Sequence, residues 1–318
     1  MIRASQSTLD ASAGSAAELI ERLGSVLYVG AGAILIVVLA FALWGVFGAG
    51  RPIREHRWVL GGGIVFPSVV LTVLLVHSLT VGNALDAIGH TARHASGARE
   101  PLRVHVIGHQ WWWEVHYEQP GAQTRIVLAN ELHLPIGRPV ELSLSSADVI
   151  HSFWVPALAG KVDMIPGRTT RLVLKSHAPG KFRGQCAEYC GGQHAWMALF
   201  VVAESEEQFA AWLARQGQHI ATPSDPFLRL GYDSFFKGGC DKCHAVRGTP
   251  AVARLGPDLT HVGSRESLAA GMLENHAGTM AGWIAGAQEV KPGNFMPSMA
   301  VYSGRELRAV SAWLESLE

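Results

Sequence analysis

The chain has 318 residues, in which 26 Lys and Arg balance 26 Asp and Glu. This length suffices for two or three domains, and the balanced charge gives no support to a nucleic-acid partner. Hydrophobic residues make up 48% of the chain and charged residues only 16%, which is apolar for a soluble protein. The excess is local, because it concentrates near the N-terminus.

Two long apolar runs follow a polar leader at residues 1–24. Residues 25–50 and 58–83 contain no Asp, Glu, Lys or Arg. About 20 apolar residues in a helix suffice to cross the hydrocarbon core of a membrane. We therefore predict a transmembrane hairpin over 25–84, since two buried core helices fit runs of this length poorly. A cleavable signal peptide is not expected, because no basic patch directly precedes the first run.

The loop between the two runs carries Arg51, Arg54 and Arg57. Arginine-rich short loops stay on the cytoplasmic side of a membrane. The N-terminus and everything after residue 84 are therefore predicted to lie outside the cytoplasm. In a bacterium this is the periplasmic or extracellular side of the inner membrane, with the chain a multi-pass protein.

Short apolar–polar alternations broken by Pro and Gly begin after a polar connector. They predict antiparallel strands in a β-sandwich or barrel over 101–203, a normal size for such a domain. Because strand neighbours face opposite sides, we expect Trp112 to pack inside while Trp111 and Trp113 face out. The alternating apolar positions are Val104, Val106, Trp111, Trp113 and Val115, then Val140, Leu142 and Leu144, then Leu172 and Leu174.

A helix and a linker are predicted over 204–225, and a further domain over 226–318. This last segment has helical periodicity at both of its ends, which predicts an all-α domain. The predicted architecture is therefore multidomain: a membrane hairpin, a β domain and an all-α domain.

One loop of the β domain concentrates soft metal ligands. Cys186, Cys190, His194 and Met197 lie within twelve residues. Thiolate, imidazole and thioether together select copper, and this ligand set is typical of copper electron-transfer sites. Disulfides are the alternative for the four cysteines of the chain, but each cysteine pair sits inside a fuller ligand motif. The second imidazole is predicted to come from His151, at the end of a strand, in preference to His105, His109, His116 and His133.

A second motif reads Cys240-Asp241-Lys242-Cys243-His244. C-x-x-C-H is the attachment signature of c-type haem. Cys240 and Cys243 are predicted to form thioethers to the haem, and His244 to bind the iron. A methionine is expected as the other axial ligand, because the thioether raises the reduction potential. The candidates are Met272, Met280, Met296 and Met299.

The first motif resembles subunit II of haem-copper cytochrome c oxidases. The shared pattern is Cys-x-Glu-x-Cys-x3-His-x2-Met, with His-Ser-x-x-Val-Pro and His-Gln-Trp upstream, and the resemblance covers about 20–215. It implies a cupredoxin-like domain with a binuclear copper centre, CuA, and argues against the quinol-oxidising relatives that lack this centre. The implied ligands are Cys186 and Cys190 as bridges, His151, His194, Met197 and the backbone carbonyl of Glu188.

The same resemblance assigns three further roles. The Glu188 side chain would bind a magnesium ion shared with the catalytic subunit, as suits a carboxylate. Trp111 matches the tryptophan through which electrons reach CuA. Glu55 resembles the acid at the mouth of a proton-uptake path, although the glycine-rich stretch after Trp58 departs from the family pattern.

The last segment resembles class I cytochrome c over about 225–318. Asn294-Phe295-Met296-Pro297 before the final helix favours Met296 as the axial ligand, with Met299 as the second choice. Gly256-Pro257-Asp258-Leu259 resembles the loop on the proximal side of the haem in that family.

The combination resembles caa3-type oxidases, in which cytochrome c is fused to subunit II. This implies the electron-input subunit of a terminal oxidase, which passes electrons through haem c and CuA to subunit I, where oxygen is reduced and protons are pumped. Further implied partners are subunit III, membrane lipid, and a soluble cytochrome c or a quinol-oxidising complex as donor. The alternatives are the CuA-bearing input subunit of a nitric oxide reductase, or a membrane-anchored copper-delivery or thiol-redox protein.

Overall fold

The computed structural model describes residues 12–48, 54–94, 100–118 and 125–318. It contains two long N-terminal helices, a β domain (residues 102–204) and a helical C-terminal domain (residues 226–318). The predicted fold class, an apolar hairpin followed by a cupredoxin-like domain and a cytochrome c domain, is confirmed.

The N-terminal hairpin begins with α1 (Ser15–Phe47). After the loop come α2 (Glu55–Trp58), a π-helical segment (Val59–Val65) and α3 (Phe66–His94). Mean hydropathy reaches 2.7 in α1 and 2.4 in the second helical run, and the apolar windows are not buried against the rest of the chain. Both helices are long and apolar enough to cross a membrane, which fits a membrane anchor.

Both helices extend beyond the predicted apolar runs. α1 starts inside the segment expected to be a leader, where Arg22 pairs with Glu18 one turn earlier, an arrangement that supports a helix. α3 continues through the predicted connector to His94. Of the predicted cytoplasmic loop, residues 51–53 lie outside the described residues.

The start of α1 is fixed on the β domain. The amides of Ala13 and Gly14 donate to the Ala157 carbonyl at 2.8 and 3.1 Å. A Cβ at Gly14 would come within 2.3 Å of the Leu158 carbonyl oxygen, so only glycine allows this approach. The first turn of α1 is therefore built against the loop after strand 151–154.

The β domain is a sandwich of two five-stranded sheets. The first sheet has the spatial order β3 (Ile126–Ala129), β2 (Trp112–Tyr117), β1 (Leu102–His109), β5 (Val140–Ser146) and β8 (Thr170–Leu174). The second has the order β4 (Glu131–Pro135), β10 (Ala198–Glu204), β9 (Gly180–Cys186), β6 (His151–Trp154) and β7 (Val162–Met164). The predicted pairing is wrong for two strand pairs, because β1 with β5 and β4 with β10 are parallel. Connections that cross between the sheets return these strands in the same direction.

The expected facing of the tryptophans is also wrong. Trp113 is fully buried and Trp112 is half-buried, with its ring stacked on His109. The reason is the position of the turn: β1 ends at His109 and β2 begins at Trp112, so Trp111 belongs to the two-residue connection. Strand alternation starts only after it, and Trp113 points into the core with Val115 and Tyr117.

Helix α4 (Glu206–Gln216) leaves the β domain after a capping box at Ser205. Phe209 and Trp212 pack it onto Tyr117. The linker that follows, 217–224, is attached to the C-terminal domain, since the Ile220 amide donates to the Arg247 carbonyl at 2.9 Å.

The C-terminal domain is helical, with one two-stranded hairpin of β11 (Ser267–Leu268) and β12 (Leu273–Glu274). Its helices are α5 (Pro226–Lys237), α6 (Ala277–Ala285), α7 (Ala287–Val290) and α8 (Gly304–Glu315). α5 crosses α8 closely at Gly231, where a Cβ would lie 2.1 Å from the Ala309 carbonyl oxygen. The rings of Phe235 and Trp313 fill the core beside this crossing.

Candidate metal centres

The cysteine loop connects β9 to β10, and the Cys186 amide closes it by donating to the Met197 carbonyl at 2.9 Å. The two thiol sulfurs, Cys186 Sγ and Cys190 Sγ, lie 3.7 Å apart. His151 Nδ1 is 3.8 Å from Cys186 Sγ, and His194 Nδ1 is 3.6 Å from Cys190 Sγ. Met197 Sδ is 3.9 Å from Cys190 Sγ. The structure thus brings five sequence-predicted ligand side chains into one cluster.

Glu188 contributes to the same cluster with its main chain. The Cys186 thiol donates to the Glu188 carbonyl over 3.2 Å, so this oxygen points at the sulfur pair. The Glu188 side chain turns away and accepts from the Tyr189 amide at 3.2 Å. The carbonyl and the carboxylate of this residue therefore face different surroundings.

The three sulfur-bearing side chains of the cluster and His151 are buried, whereas His194 is half-buried. Exposure of Cys186, Cys190 and Met197 is 5% or less, and His151 is fully buried. All four cysteines of the chain are free thiols. The contact between the two thiols, with His151 beside it, holds the pKa of Cys186 well below its usual range, and the same contact raises the pKa of Cys190. The pair therefore releases its first proton readily, and a cation is needed to hold two thiolates together.

Asp148 orients His151. Its Oδ1 accepts from His151 Nε2 at 2.7 Å, which leaves the lone pair of Nδ1 directed at Cys186. A carboxylate behind a histidine fixes both tautomer and ring orientation at metal sites. Sequence reasoning did not assign Asp148 a role, although its position three residues before His151 was a usable signal.

Gly108 provides the space for the His151 ring. A Cβ at this position would lie 2.8 Å from His151 Cδ2 and 3.0 Å from Cγ. Gly108 belongs to β1 in the first sheet, whereas His151 begins β6 in the second. No local sequence signal marks this contact, because it depends on how the two sheets pack.

Trp111 lies directly over the cysteine loop. Its Nε1 donates to the Cys190 carbonyl at 3.0 Å, and Gln110 Nε2 donates to the same oxygen at 2.8 Å. The main-chain N–H of Gln110 also donates to Asp148 Oδ2 at 2.6 Å. The turn between β1 and β2 is thereby tied to both the cysteine loop and the carboxylate behind His151.

The competing histidines have partners away from the sulfurs. His109 and His116 both contact Glu114, at 2.9 and 2.7 Å. His133 lies between Glu131 and Glu204, and His105 contacts Ser145 at 2.8 Å. The structure brings none of these four histidines to the cluster. Glu55, which resembles the acid of a proton-uptake path, is exposed at the start of α2.

The C-x-x-C-H segment of the C-terminal domain forms a short 3-10 turn (Cys240–Lys242). The amides of Cys243 and His244 both donate to the Cys240 carbonyl, at 3.1 and 2.9 Å. His244 Nδ1 donates to the Pro257 carbonyl at 2.7 Å, so Nε2 keeps a free lone pair. Burial lowers the pKa of His244, which favours the neutral imidazole that binds iron.

The proximal loop fits this arrangement. A Cβ at Gly256 would lie 2.7 Å from His244 Cε1, so the glycine lets the loop pack flat against the ring. Met296 and Met299 are both partly buried against the core of the domain. Asn294 Oδ1 accepts from the Met296 amide at 2.7 Å, whereas the Met299 amide is bonded to the Ile284 carbonyl of α6.

Comparison with known proteins gives matches for both domains. The sequence model described as cytochrome c oxidase subunit II, periplasmic domain, matches residues 102–204, and the cytochrome c model matches residues 229–318. The cytochrome c oxidase subunit 2 of Alkalihalophilus pseudofirmus is 35% identical over 85% of this chain and 74% of its own length. The corresponding subunit of a Bacillus species is 32% identical over 80% of this chain and 72% of its own length.

Among solved structures, the periplasmic domain of cytochrome oxidase subunit II of Bradyrhizobium japonicum is 33% identical. The match covers 36% of this chain and 91% of that one, with a TM-score of 0.32.

The two domain models and the two relatives confirm the resemblance and the electron-input function inferred from the sequence. A subunit II domain implies CuA copper, a cytochrome c domain implies haem, and a cytochrome c oxidase subunit 2 implies a subunit I as its partner. The donor sets of the two sites fit both groups: thiolate, imidazole and thioether for copper, and an oriented imidazole for haem iron. The chain belongs to the cytochrome c oxidase subunit II family, in the form that carries a C-terminal cytochrome c domain and serves as the electron-input subunit of a terminal oxidase.

Proposed function

We propose that the cysteine loop and His151 form the CuA site that receives electrons from the C-terminal domain of the same chain. The single observation that carries this is the convergence of two thiols, two imidazole Nδ1 atoms and a thioether in one buried cluster. In this assignment Cys186 and Cys190 would hold the copper through their sulfurs, and His151 and His194 through their imidazoles. Met197 and the Glu188 carbonyl complete the ligand set.

The scaffold suits electron transfer because it holds these side chains still. Bound copper would supply one-electron transfer at this site. On one side His151 is hydrogen-bonded to Asp148. On the other side its ring packs closely against Gly108, which has no Cβ. A site held in one geometry needs little rearrangement when its charge changes.

We further propose that Cys240 and Cys243 attach haem c through thioethers, with His244 and Met296 as the axial ligands. The support is the fixed tautomer of His244 and the bracing of the Met296 backbone. Asn294 Oδ1 accepts from the Met296 amide, and Gln288 Nε2 donates to the Met296 carbonyl at 2.6 Å.

Trp111 is proposed as the residue through which electrons reach the copper site. Its Nε1 is bonded to the Cys190 carbonyl, and its Cη2 lies 3.9 Å from where a Cβ of Gly293 would be. Gly293 is three residues before Met296. The indole therefore lies between the loop of the proposed axial methionine and a proposed copper ligand.

The remaining assignments concern the surroundings of the chain. We propose that both domains lie on the periplasmic or extracellular side of a bacterial cell membrane, with subunit III and lipid as additional partners. The Glu188 carboxylate is proposed to bind magnesium at the interface with subunit I, and Glu55 to take part in proton uptake. The external donor is proposed to be a soluble cytochrome c or a quinol-oxidising complex.

The test uses the purified oxidase complex. A mixed-valence two-copper electron-spin signal together with a c-haem absorption band is expected, and both groups should support oxygen consumption driven by the donor. Haem that stays on this chain in a denaturing gel reports thioether attachment. Absence of the copper signal would rule out the assignment, and consumption of nitric oxide in place of oxygen would favour a nitric oxide reductase.

A further inference from the structure

The C-terminal domain is docked on the β domain through specific polar contacts. The Glu266 amide donates to Glu131 Oε2 at 2.7 Å, and the Glu266 carboxylate pairs with Lys181. The Ala198 amide donates to the Ala270 carbonyl at 3.0 Å. These bonds join β4, β9 and β10 to the hairpin of β11 and β12.

Lys291 lies at the centre of this contact and is 3% exposed. Its Nζ donates to the carbonyls of Trp111 at 2.9 Å, Trp196 at 2.8 Å and Ala269 at 3.1 Å. An ammonium group has three donors, so all of them are used. Two acceptors belong to the β domain and none of the three is a carboxylate, which distinguishes this contact from an exposed, salt-screened ion pair.

A buried ammonium needs this many acceptors. Burial lowers the pKa of Lys291 to about 7, because removing the charged form from water is unfavourable. The carbonyl oxygens replace the lost water. If the C-terminal domain moved away, two of the three acceptors would leave with the β domain.

On its own domain, Lys291 is connected rigidly to Met296. Asn294 Nδ2 donates to the Lys291 carbonyl at 2.6 Å, while Asn294 Oδ1 accepts from the Met296 amide. Gln288 Nε2 donates to the carbonyls of both Asn294 and Met296. Four side-chain hydrogen bonds thus tie the backbone of Lys291 to that of Met296.

On the other side, Lys291 holds Trp111 and Trp196. The Trp111 ring donates to the Cys190 carbonyl, and Trp196 precedes Met197 in the cysteine loop. One side chain thus spans from the loop of the proposed axial methionine to the turn and the loop that surround the proposed copper site.

The turn that supplies the third acceptor is strained. Ala269 and Ala270 have φ values of 53° and 62°, a left-handed conformation that is unfavourable for residues with a Cβ. The carbonyl of Ala269 accepts from Lys291, and that of Ala270 from the Ala198 amide. Such strain persists where the surroundings enforce it, here at a contact between two domains.

We propose that Lys291 is a positioning residue that keeps the C-terminal domain docked on the β domain in one orientation, with the Met296 loop held against Trp111. This rests on the proposed function of Trp111 and of the two metal centres. A linker alone raises the local concentration of a donor domain. The Lys291 contact goes further, because it fixes the orientation.

The test is Lys291→Met in the full complex, which keeps side-chain length and removes all three hydrogen bonds. The main readout is hydrogen exchange of the Ala198 and Glu266 amides, whose bonds cross between the domains. We expect exchange at least about tenfold faster, equivalent to about 1.4 kcal/mol. The rate of electron transfer from haem to copper after flash reduction should fall as well. The matched control is Lys237→Met, since Lys237 is exposed on the same domain and pairs with Glu306.

Unchanged exchange at both amides in Lys291→Met would overturn the proposal, and so would faster exchange with an unchanged transfer rate. Protection of amides in α5 and α8 reports whether the domain itself stays folded. If the domain does not stay folded, Gly271→Ala replaces Lys291→Met as the test of docking. A Cβ at this position would lie 2.9 Å from Ala198 Cβ and crowd the same contact with Lys291 intact. Absence of haem-to-copper electron transfer in the wild type would instead refute the proposed function. The hydrogen-exchange data would still test whether Lys291 keeps the two domains docked.

Discussion

Replacing Gly108 with alanine should displace His151 without touching any proposed ligand. The new Cβ would lie 2.8 Å from His151 Cδ2, whereas carbon atoms pack best at about 3.5–4.0 Å. The ring must therefore retreat by roughly 0.7 Å. Asp148 and the buried ring of Trp113 stand behind and beside it, so the movement is opposed.

The size of this shift decides the outcome. Metal–ligand distances tolerate changes of only about 0.2 Å, so the Nδ1 position becomes unsuitable before the ring reaches an ordinary contact. Overpacking of this kind costs about 1–3 kcal/mol. In a domain of this size each kcal/mol lowers the melting temperature by about 4–8 °C.

The assay is copper content and the two-copper spin signal of the purified complex, measured with thermal unfolding of the same samples. We expect Gly108→Ala to lose copper and to melt earlier. Gly192→Ala is the control in the cysteine loop, because no atom of the described residues, apart from its two neighbours in the chain, lies within 4 Å of the added Cβ. Wild-type copper content and spectrum in Gly108→Ala would refute the idea that this glycine sets the position of His151.

Three further predictions concern stability and axial ligation. Gly231→Ala should destabilise the C-terminal domain by about 1–3 kcal/mol, because the Cβ would meet a main-chain carbonyl of α8 at 2.1 Å. Denaturant unfolding followed by haem absorbance measures this loss. An unfolding midpoint equal to that of the exposed control Gly304→Ala would contradict the prediction. Burial opposes the charged form of His133, but its hydrogen bonds to the carboxylates of Glu131 and Glu204 outweigh burial and raise its pKa. The difference in melting temperature between wild type and His133→Gln should therefore be largest below about pH 6.5 and shrink as the pH rises through the folded-state pKa of His133. A difference that grows with pH would mean that folding lowers this pKa, which would contradict the prediction. Met296→Ala should abolish low-spin methionine ligation in the haem spectrum while Met299→Ala keeps it, and the reverse result would assign Met299 as the ligand.

The features that the sequence predicted well are those with local signatures. The ligand-rich loop is continuous in the chain, so its spacing is visible without a structure. The apolar runs and the strand alternations are local as well. Even His151, which is remote in sequence, was chosen from among the other histidines, although it was expected at the end of a strand and in fact begins β6.

The features that the sequence missed depend on contacts between distant segments. Gly108 matters only because its strand passes behind the His151 ring. Lys291 looks like an ordinary surface lysine until the two domains meet around it. The facing of Trp113 failed for a different reason: the pattern was counted through a turn whose two residues do not follow strand alternation.

The contact between Ala13 and the loop at Ala157 has a mechanical consequence. α1 continues without a break from this contact into its apolar segment, over 33 residues, or about 50 Å. Since the hydrocarbon core of a membrane is about 30 Å thick, the first turns of α1 extend beyond it and connect the β domain to the apolar segment as one continuous helix. One residue inserted in these first turns would shift the domain by about 1.5 Å along the helix axis and turn it by about 100°, so the number of residues before the apolar segment sets the direction in which the cysteine loop faces.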